Sequence, residues 1–222
     1  MFKKNSKNNQ LDYLYSEDEL EKYEKFIIEN YGEFKEVIYE IVSLDIHLDI
    51  IVIPPTEENN YYKLITMGMG AYEMNIPKEL NRKKLCRAEL VMYLPPTWNL
   101  KSDKEEDTWP INCLKTLGRL PLKNNSWLGV GHTVSLDNNN SPFANNTKLC
   151  SMFLLPALNN KYKEPNLKIK NKGKINFYQL FPIYSEELNF IQNNDPIALF
   201  EKFDENDMEP IVNIKRKNYC AK

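Results

Sequence analysis

Residues 43–50, Ser-Leu-Asp-Ile-His-Leu-Asp-Ile, constrain the fold more than any other stretch. Ser43, Asp45, His47 and Asp49 alternate strictly with Leu44, Ile46, Leu48 and Ile50. Side chains of a strand point to opposite faces with period two, whereas a helix would spread these eight residues around its circumference. The pattern predicts a strand, inside a strand region spanning 37–53, with one dry face and one polar face. The dry face requires a covering layer. The polar face carries one of only two histidines in the chain.

The flanking sequence supplies candidate layers. Ser16 and Glu19 form an S-x-x-E capping box, and Leu20, Tyr23, Phe26 and Ile27 follow at helical spacing. Gly32 ends this helix, which is predicted to cover the dry face. Pro54-Pro55 and the polar run 57–60 form a turn into a strand at 61–67, so the two strands make a hairpin. Residues 85–94 alternate again. Cys86, Ala88, Leu90, Met92 and Leu94 are apolar, and Arg87 and Glu89 share the other face; Pro95-Pro96 ends the strand. A charged loop is expected over 99–107. A second helix is predicted from near Thr108, with Pro110 in its first turn and Gly118 and Pro121 closing it.

The second half is punctuated by Asn, Lys and Pro. Residues 123–148 read as mostly loop with one short strand near 127–135, 151–156 as a buried strand and 157–172 as a loop. A strand at 175–184 is predicted to end near Pro182. Helices start at Ser185 and at Asp195, and 210–215 is a last edge strand. Residues 1–10 are expected to be a disordered tail, and 11–222 a single domain. The fold class is α+β: a mixed, mainly antiparallel sheet covered by helices.

Composition narrows the function. A net charge of -2 over 222 residues argues against a broad electrostatic grip on nucleic acid. No apolar run approaches the length of a membrane span, and the first ten residues lack a signal-peptide core. The four cysteines are far apart and form no C-x-x-C pair, which fits reduced thiols in a cytoplasmic protein. Four of the seven glycines sit in two G-x-G triplets, Gly68/Gly70 and Gly129/Gly131. Each reads as a bend at a strand end or as a backbone-lined recess for a ligand. Neither continues into a dinucleotide fingerprint, and no phosphate loop or G-x-S-x-G elbow occurs.

The titratable side chains leave two readings. His47 and Asp49, two apart on a strand, point the same way and could converge on one cation, with Glu40, Glu89, His132 and Asp137 added if loops bring them close. Against that, the polar face of an antiparallel strand usually meets water or a neighbouring loop. Arg87 and Glu89 are either an exposed ion pair or part of an ordered polar group beside His47. Trp98, Trp109 and Trp127 read as core or lid residues or as anchors for a partner. The acidic run 103–107 is a solvated loop or a lure for a basic partner.

Several segments, in order, resemble the suppressor of fused domain family and its bacterial members in particular. They are HLDIIVIPPT, YYKLITMGMGAYEMNIP, RAELVMYLPPTW, TWPINCLKTLGRLP and WLGVGHTVS. The similarity runs from about Val37 to Ser135 and continues more faintly through INFYQLFPIYSEEL near 175–188. Two positions depart from the bacterial pattern: Tyr39 precedes Glu40 where a histidine often stands, and Gly118 replaces an alanine. The resemblance implies a non-catalytic protein-binding module with no cofactor and no metal. Animal relatives restrain a transcription factor and carry a second domain that this chain is too short to contain in full. Many bacterial relatives look like immunity proteins or antitoxins, which implies a cognate toxin, encoded nearby, neutralised by stoichiometric binding, with no direct contact to nucleic acid or membrane. The alternatives are a metal-dependent hydrolase using the His47/Asp49 face, or a regulator that binds an endogenous peptide or transcription factor. His47, Asp49, Arg87, Glu89 and His132 form the candidate polar functional cluster, with no catalytic residue assigned.

Overall fold

The alternation at 43–50 sorts the described side chains as expected, but a strand forms only from Asp49, and the described residues of 43–48 lie in none. In the computed structural model, which describes residues 13–43, 45–161, 163–170 and 172–221, two short strands flank this stretch. They are β1 (Glu36–Ile38) and β2 (Asp49–Ile53), paired antiparallel with Ile38 opposite Ile50. Between them the chain loops out. Ile46 and Leu48 are fully buried, as the pattern demands. The polar side chains bind the backbone themselves: Glu40 N donates to Asp49 Oδ1 (2.8 Å), Leu48 N to Glu40 Oε2 (3.2 Å) and Ile46 N to Asp45 Oδ1 (2.8 Å). Carboxylate side chains that satisfy nearby amides compete with a strand ladder, and here Glu40, Asp45 and Asp49 replace it. The expected tail, residues 1–10, lies outside the described residues.

Strand β3 (Tyr62–Met67) forms the predicted hairpin with β2, and β4 (Ala88–Leu94) follows it. The other half contains β5 (Thr133–Ser135), β6 (Leu149–Pro156), β7 (Asn166–Ile169) and β8 (Gly173–Tyr184). The sheet runs β1-β2-β3-β4-β8-β6-β5, with β7 also paired to β8. Among the described strands every pair is antiparallel except β4–β8, where Ala88 to Val91 lie beside Asn176 to Gln179. That one parallel seam joins the halves. The α+β class and the mixed, mainly antiparallel sheet are as the sequence indicates.

Helices cover both faces, but not in the expected arrangement. Helix α1 (Glu17–Tyr31) starts at the Ser16 capping box and ends at Gly32, φ +119°. It buries Tyr23, Ile27 and Tyr31 against Ile51, Ile53, Ile65 and Phe177, on the face that also carries Asp49. The dry face of Ile46, Leu48 and Ile50 is covered instead by α3 (Glu105–Asn124) through Trp109, Leu114 and Leu117. Strand β2 is buried on both sides, so a polar residue on one face did not mark that face as exposed. Helix α3 begins inside the expected charged loop, where Glu105, Glu106 and Asp107 complement the partial positive charge of its first turn. It also runs through Gly118 and Pro121. Gly118 is where the helix meets the loop: a Cβ there would lie 2.7 Å from Leu48 Cδ2.

Three further expectations are corrected. The loop at 157–172 contains β7, hairpinned onto the start of β8. Strand β8 continues through Pro182, which pairs with Met152. The Pro182 carbonyl accepts from Arg216 Nη2 at 3.0 Å, so its backbone polar edge faces away from β6, beyond the point where β4 has diverged. A missing N–H costs no ladder bond there. Residues 210–216 are not an edge strand. They form an irregular strap over that divergence, with Val212 N bonded to Tyr93 O of β4 (2.9 Å) and Gln179 Nε2 of β8 bonded to Pro210 O (2.5 Å). Helices α2 (Arg82–Leu85), α4 (Ser185–Asn193) and α5 (Pro196–Asp204) complete the fold. The last two start at the predicted residues and cover Phe153, Phe181 and Ile183.

Candidate functional site

The five residues of the candidate cluster fall into separate places. His47 and Asp49 are together: His47 Nε2 lies 3.1 Å from Asp49 Oδ2. His47 Nδ1 lies 2.9 Å from Ser43 Oγ, and Ser43 in turn donates to Glu40 Oε2. Arg119, contributed by α3, clamps the group from below. Its guanidinium contacts Glu40, Asp45 Oδ1 (3.0 Å) and the Ile46 carbonyl (3.2 Å). Ser, His and Asp therefore stand in a hydrogen-bonded row, but the protons run the wrong way for a nucleophile. The Glu40 carboxylate only accepts, so the single Ser43 proton goes to it. Asp49 accepts from the Glu40 amide and, at its other oxygen, faces His47. With its proton on Glu40, Ser43 Oγ is left to accept at His47 Nδ1 rather than to donate to it. A general base needs a free lone pair there.

Arg87, just before β4, and Glu89, on it, part company at once, and the expected strand from 85 starts only at Ala88. Glu89 is 0% exposed. One oxygen accepts from Tyr15 Oη (2.7 Å) and from the amides of Gly68 (3.0 Å) and Gly70 (2.9 Å); the other accepts from Thr66 Oγ1 (2.6 Å). Burial pushes this carboxyl up to about 7, while those four donors pull it back. The first G-x-G triplet thus does form a backbone-lined recess, and its occupant is the chain's own carboxylate. Gly68 is required there: its φ is +132°, and a Cβ would stand 1.9 Å from the His47 carbonyl oxygen. Arg87 turns to carbonyls instead, those of Gly70 (3.0 Å), Ala71 (2.7 Å) and Lys172 (2.9 Å). It is neither an exposed ion pair with Glu89 nor a neighbour of His47 through any described hydrogen bond.

His132 joins none of these. It packs edge-on against Trp127 with ring centroids 4.3 Å apart, and burial pushes its imidazole down. Asp137 binds the amides of Asn139 and Ser141 in its own turn. Among the described residues, no three His, Cys, Asp or Glu side chains come together as metal donors. Sequence reasoning missed Arg119, Tyr15 and Thr66, which supply the donors that hold both acidic groups.

The surface beside the His47 group is apolar. On the loop that Glu40 anchors, Tyr39 is 68% exposed, Ile41 96% and Val42 72%. Arg119, Ser43 and the Leu48 amide hold Glu40 from inside. The arrangement presents hydrophobic side chains to solvent on a pinned loop.

Fold and site define an α+β chain whose acidic groups close on themselves. The family model for suppressor of fused protein (SUFU) matches residues 45–217, from the His47 loop through the strap. The chain belongs to the suppressor of fused protein family. An uncharacterized protein of Ureaplasma parvum serovar 3, UU111, is 29% identical over 214 residues, spanning 94% of this chain and 99% of that one. A SUFU homolog from Neisseria gonorrhoeae shares the fold at a TM-score of 0.62 and 17% identity, over 91% of this chain and 95% of that one. The Sufu–Fu complex structure matches at a TM-score of 0.59 and 14% identity, over 90% of each chain. Drosophila Suppressor of Fused matches at 0.53 and 15%, over 78% of this chain and 42% of the other, longer one. No described helix is long and apolar enough to cross a membrane.

Proposed function

We propose that this chain is a non-catalytic protein-binding module and, more narrowly, an immunity protein that neutralises a cognate toxin by stoichiometric binding. The observation that carries the binding role is the pinned apolar loop: Ile41 and Val42 are 96% and 72% exposed beside a Glu40 locked by Arg119. Apolar side chains held in water favour a partner that covers them. Closure of the polar groups supports the absence of catalysis. Family membership supports the binding role as well, since one relative of the same fold is the Sufu of the Sufu–Fu complex. The toxin as partner rests on the resemblance to bacterial family members.

The test is co-purification of the tagged chain from its native host, followed by expression of any partner alone and together with this chain. A partner recovered in about 1:1 ratio, harmful alone and harmless in company, is the expected result. Recovery of no protein at all, with turnover of an ester or phosphodiester substrate that disappears in Ser43→Ala, would sink the reading in favour of the hydrolase.

A further inference from the structure

We infer that the groove between α5 and the end of β6 receives a segment of the partner in which an apolar side chain is flanked by lysines or arginines. This rests on the protein-binding reading and names the surface and the chemistry it selects. The groove holds about 530 Å³ and lies beside the strap. Its floor is apolar and aromatic: Tyr93, Leu155 and Phe203 are buried there, and the Tyr61 and Tyr93 rings stand 5.3 Å apart. Leu158, on its lip, is 41% exposed.

The rim fixes the sign of the occupant. Glu164, Glu201 and Asp204 line the groove and are exposed, while no lysine, arginine or histidine is among its described lining residues. Three carboxylates around an apolar floor repel an acidic segment and attract a basic one. Screening in physiological salt leaves that attraction effective over about 8 Å. The floor alone would take any hydrophobic side chain; the rim restricts it to one with cationic neighbours.

Among the described residues, the strap's own cation does not enter the groove. Arg216 of the strap is turned to Glu187 and the Pro182 carbonyl. The acidic rim complements a basic segment of another molecule, and a basic toxin surface is the source to which the proposal commits.

The probe is a labelled pentapeptide, Lys-Leu-Lys-Phe-Lys, titrated with the full chain by fluorescence anisotropy, beside its counterpart with glutamate in place of lysine. The double variant E201K/D204K reverses two exposed rim charges without touching the core. It is expected to weaken binding of the lysine peptide by about tenfold or more. Leu158→Ser, at the lip, is expected to weaken it by about fivefold. E57K/E58K makes the same change of net charge on the turn between β2 and β3 and is expected to stay within about twofold of the parent. Equal binding of the glutamate peptide, equal loss in E57K/E58K, or no loss in E201K/D204K overturns the proposal. Co-expression separates this failure from failure of the wider reading. If E201K/D204K protects cells from the co-purified toxin as well as the parent does, the groove is wrong and the binding role stands.

Discussion

Two glutamates, Glu89 on β4 and Glu187 in the first turn of α4, are both fully buried, and they are held by different means. Glu89 faces neutral donors: two glycine amides and two hydroxyls. Glu187 faces a guanidinium. Arg216 approaches it in a two-pronged contact, Nη1 to Oε1 at 2.6 Å and Nη2 to Oε2 at 2.5 Å, and the amides of Tyr184 and Tyr219 complete the set. Phe181, Tyr184, Phe203 and Tyr219 surround the guanidinium at 4.7–5.8 Å. Dipoles spread around a carboxylate leave its charge in place, so its cost varies with pH. A cation cancels the charge but makes each partner dependent on the other. The first half thus holds a buried charge through backbone shape, and the second through a single side chain on the strap.

The largest test of that contrast is Arg216→Ala. Glu187 would remain buried without its cation, and urea unfolding should show a loss of about 3–5 kcal/mol. A loss under about 1 kcal/mol would mean that the two amides suffice. Next is the pH dependence of Glu89. Its folded value of about 7 lies above its ordinary 4.5, so its contribution is fully present below the unfolded value and is lost as pH rises through 7. That difference amounts to about 3 kcal/mol, and the corresponding slope should be absent from the urea midpoints of Glu89→Gln between pH 5 and 8.

Tyr15→Phe removes one of the four donors and should cost about 1–3 kcal/mol. It should also move the pH-dependent loss to higher pH, since a donor to the charged form has gone. The smallest effect on stability belongs to Ile41→Ser, within about 0.5 kcal/mol by thermal unfolding. The same change should weaken partner binding by at least about fivefold if the pinned loop is buried in the complex.

Legibility in the sequence followed the range of the contacts. The capping box at Ser16, the β2–β3 hairpin and the starts of α4 and α5 depend on residues a few positions apart, and each was readable. His47 and Asp49 were readable together for the same reason, being two residues apart. The expected strand at 43–48 failed because its alternation records burial, and a loop whose side chains bind its own amides can show the same alternation. Glu40 and Asp45 meet Arg119 across more than seventy residues of chain, and no local pattern announces such a clamp. Arg87 and Glu89 were expected on one strand face, but β4 starts only at Ala88 and leaves Arg87 just before it. What separated them was the turn 68–71, which offers amides to the one and carbonyls to the other. The G-x-G triplet showed that backbone would come close to something, but not that the something was Glu89.

The parallel seam between β4 and β8 also has a consequence in time. Strands β1 to β4 are sequence neighbours and can zip up one hairpin after another. The seam joins Ala88 to Asn176, so it waits for α3 and most of the second half to be ordered. The strap then ties Tyr93 to Val212, a contact that exists only once both halves are in place, and carries Arg216 to Glu187. Refolding should therefore pass through a state with the first meander formed and Glu187 still without its cation, and the strap should be the segment whose amides are protected last.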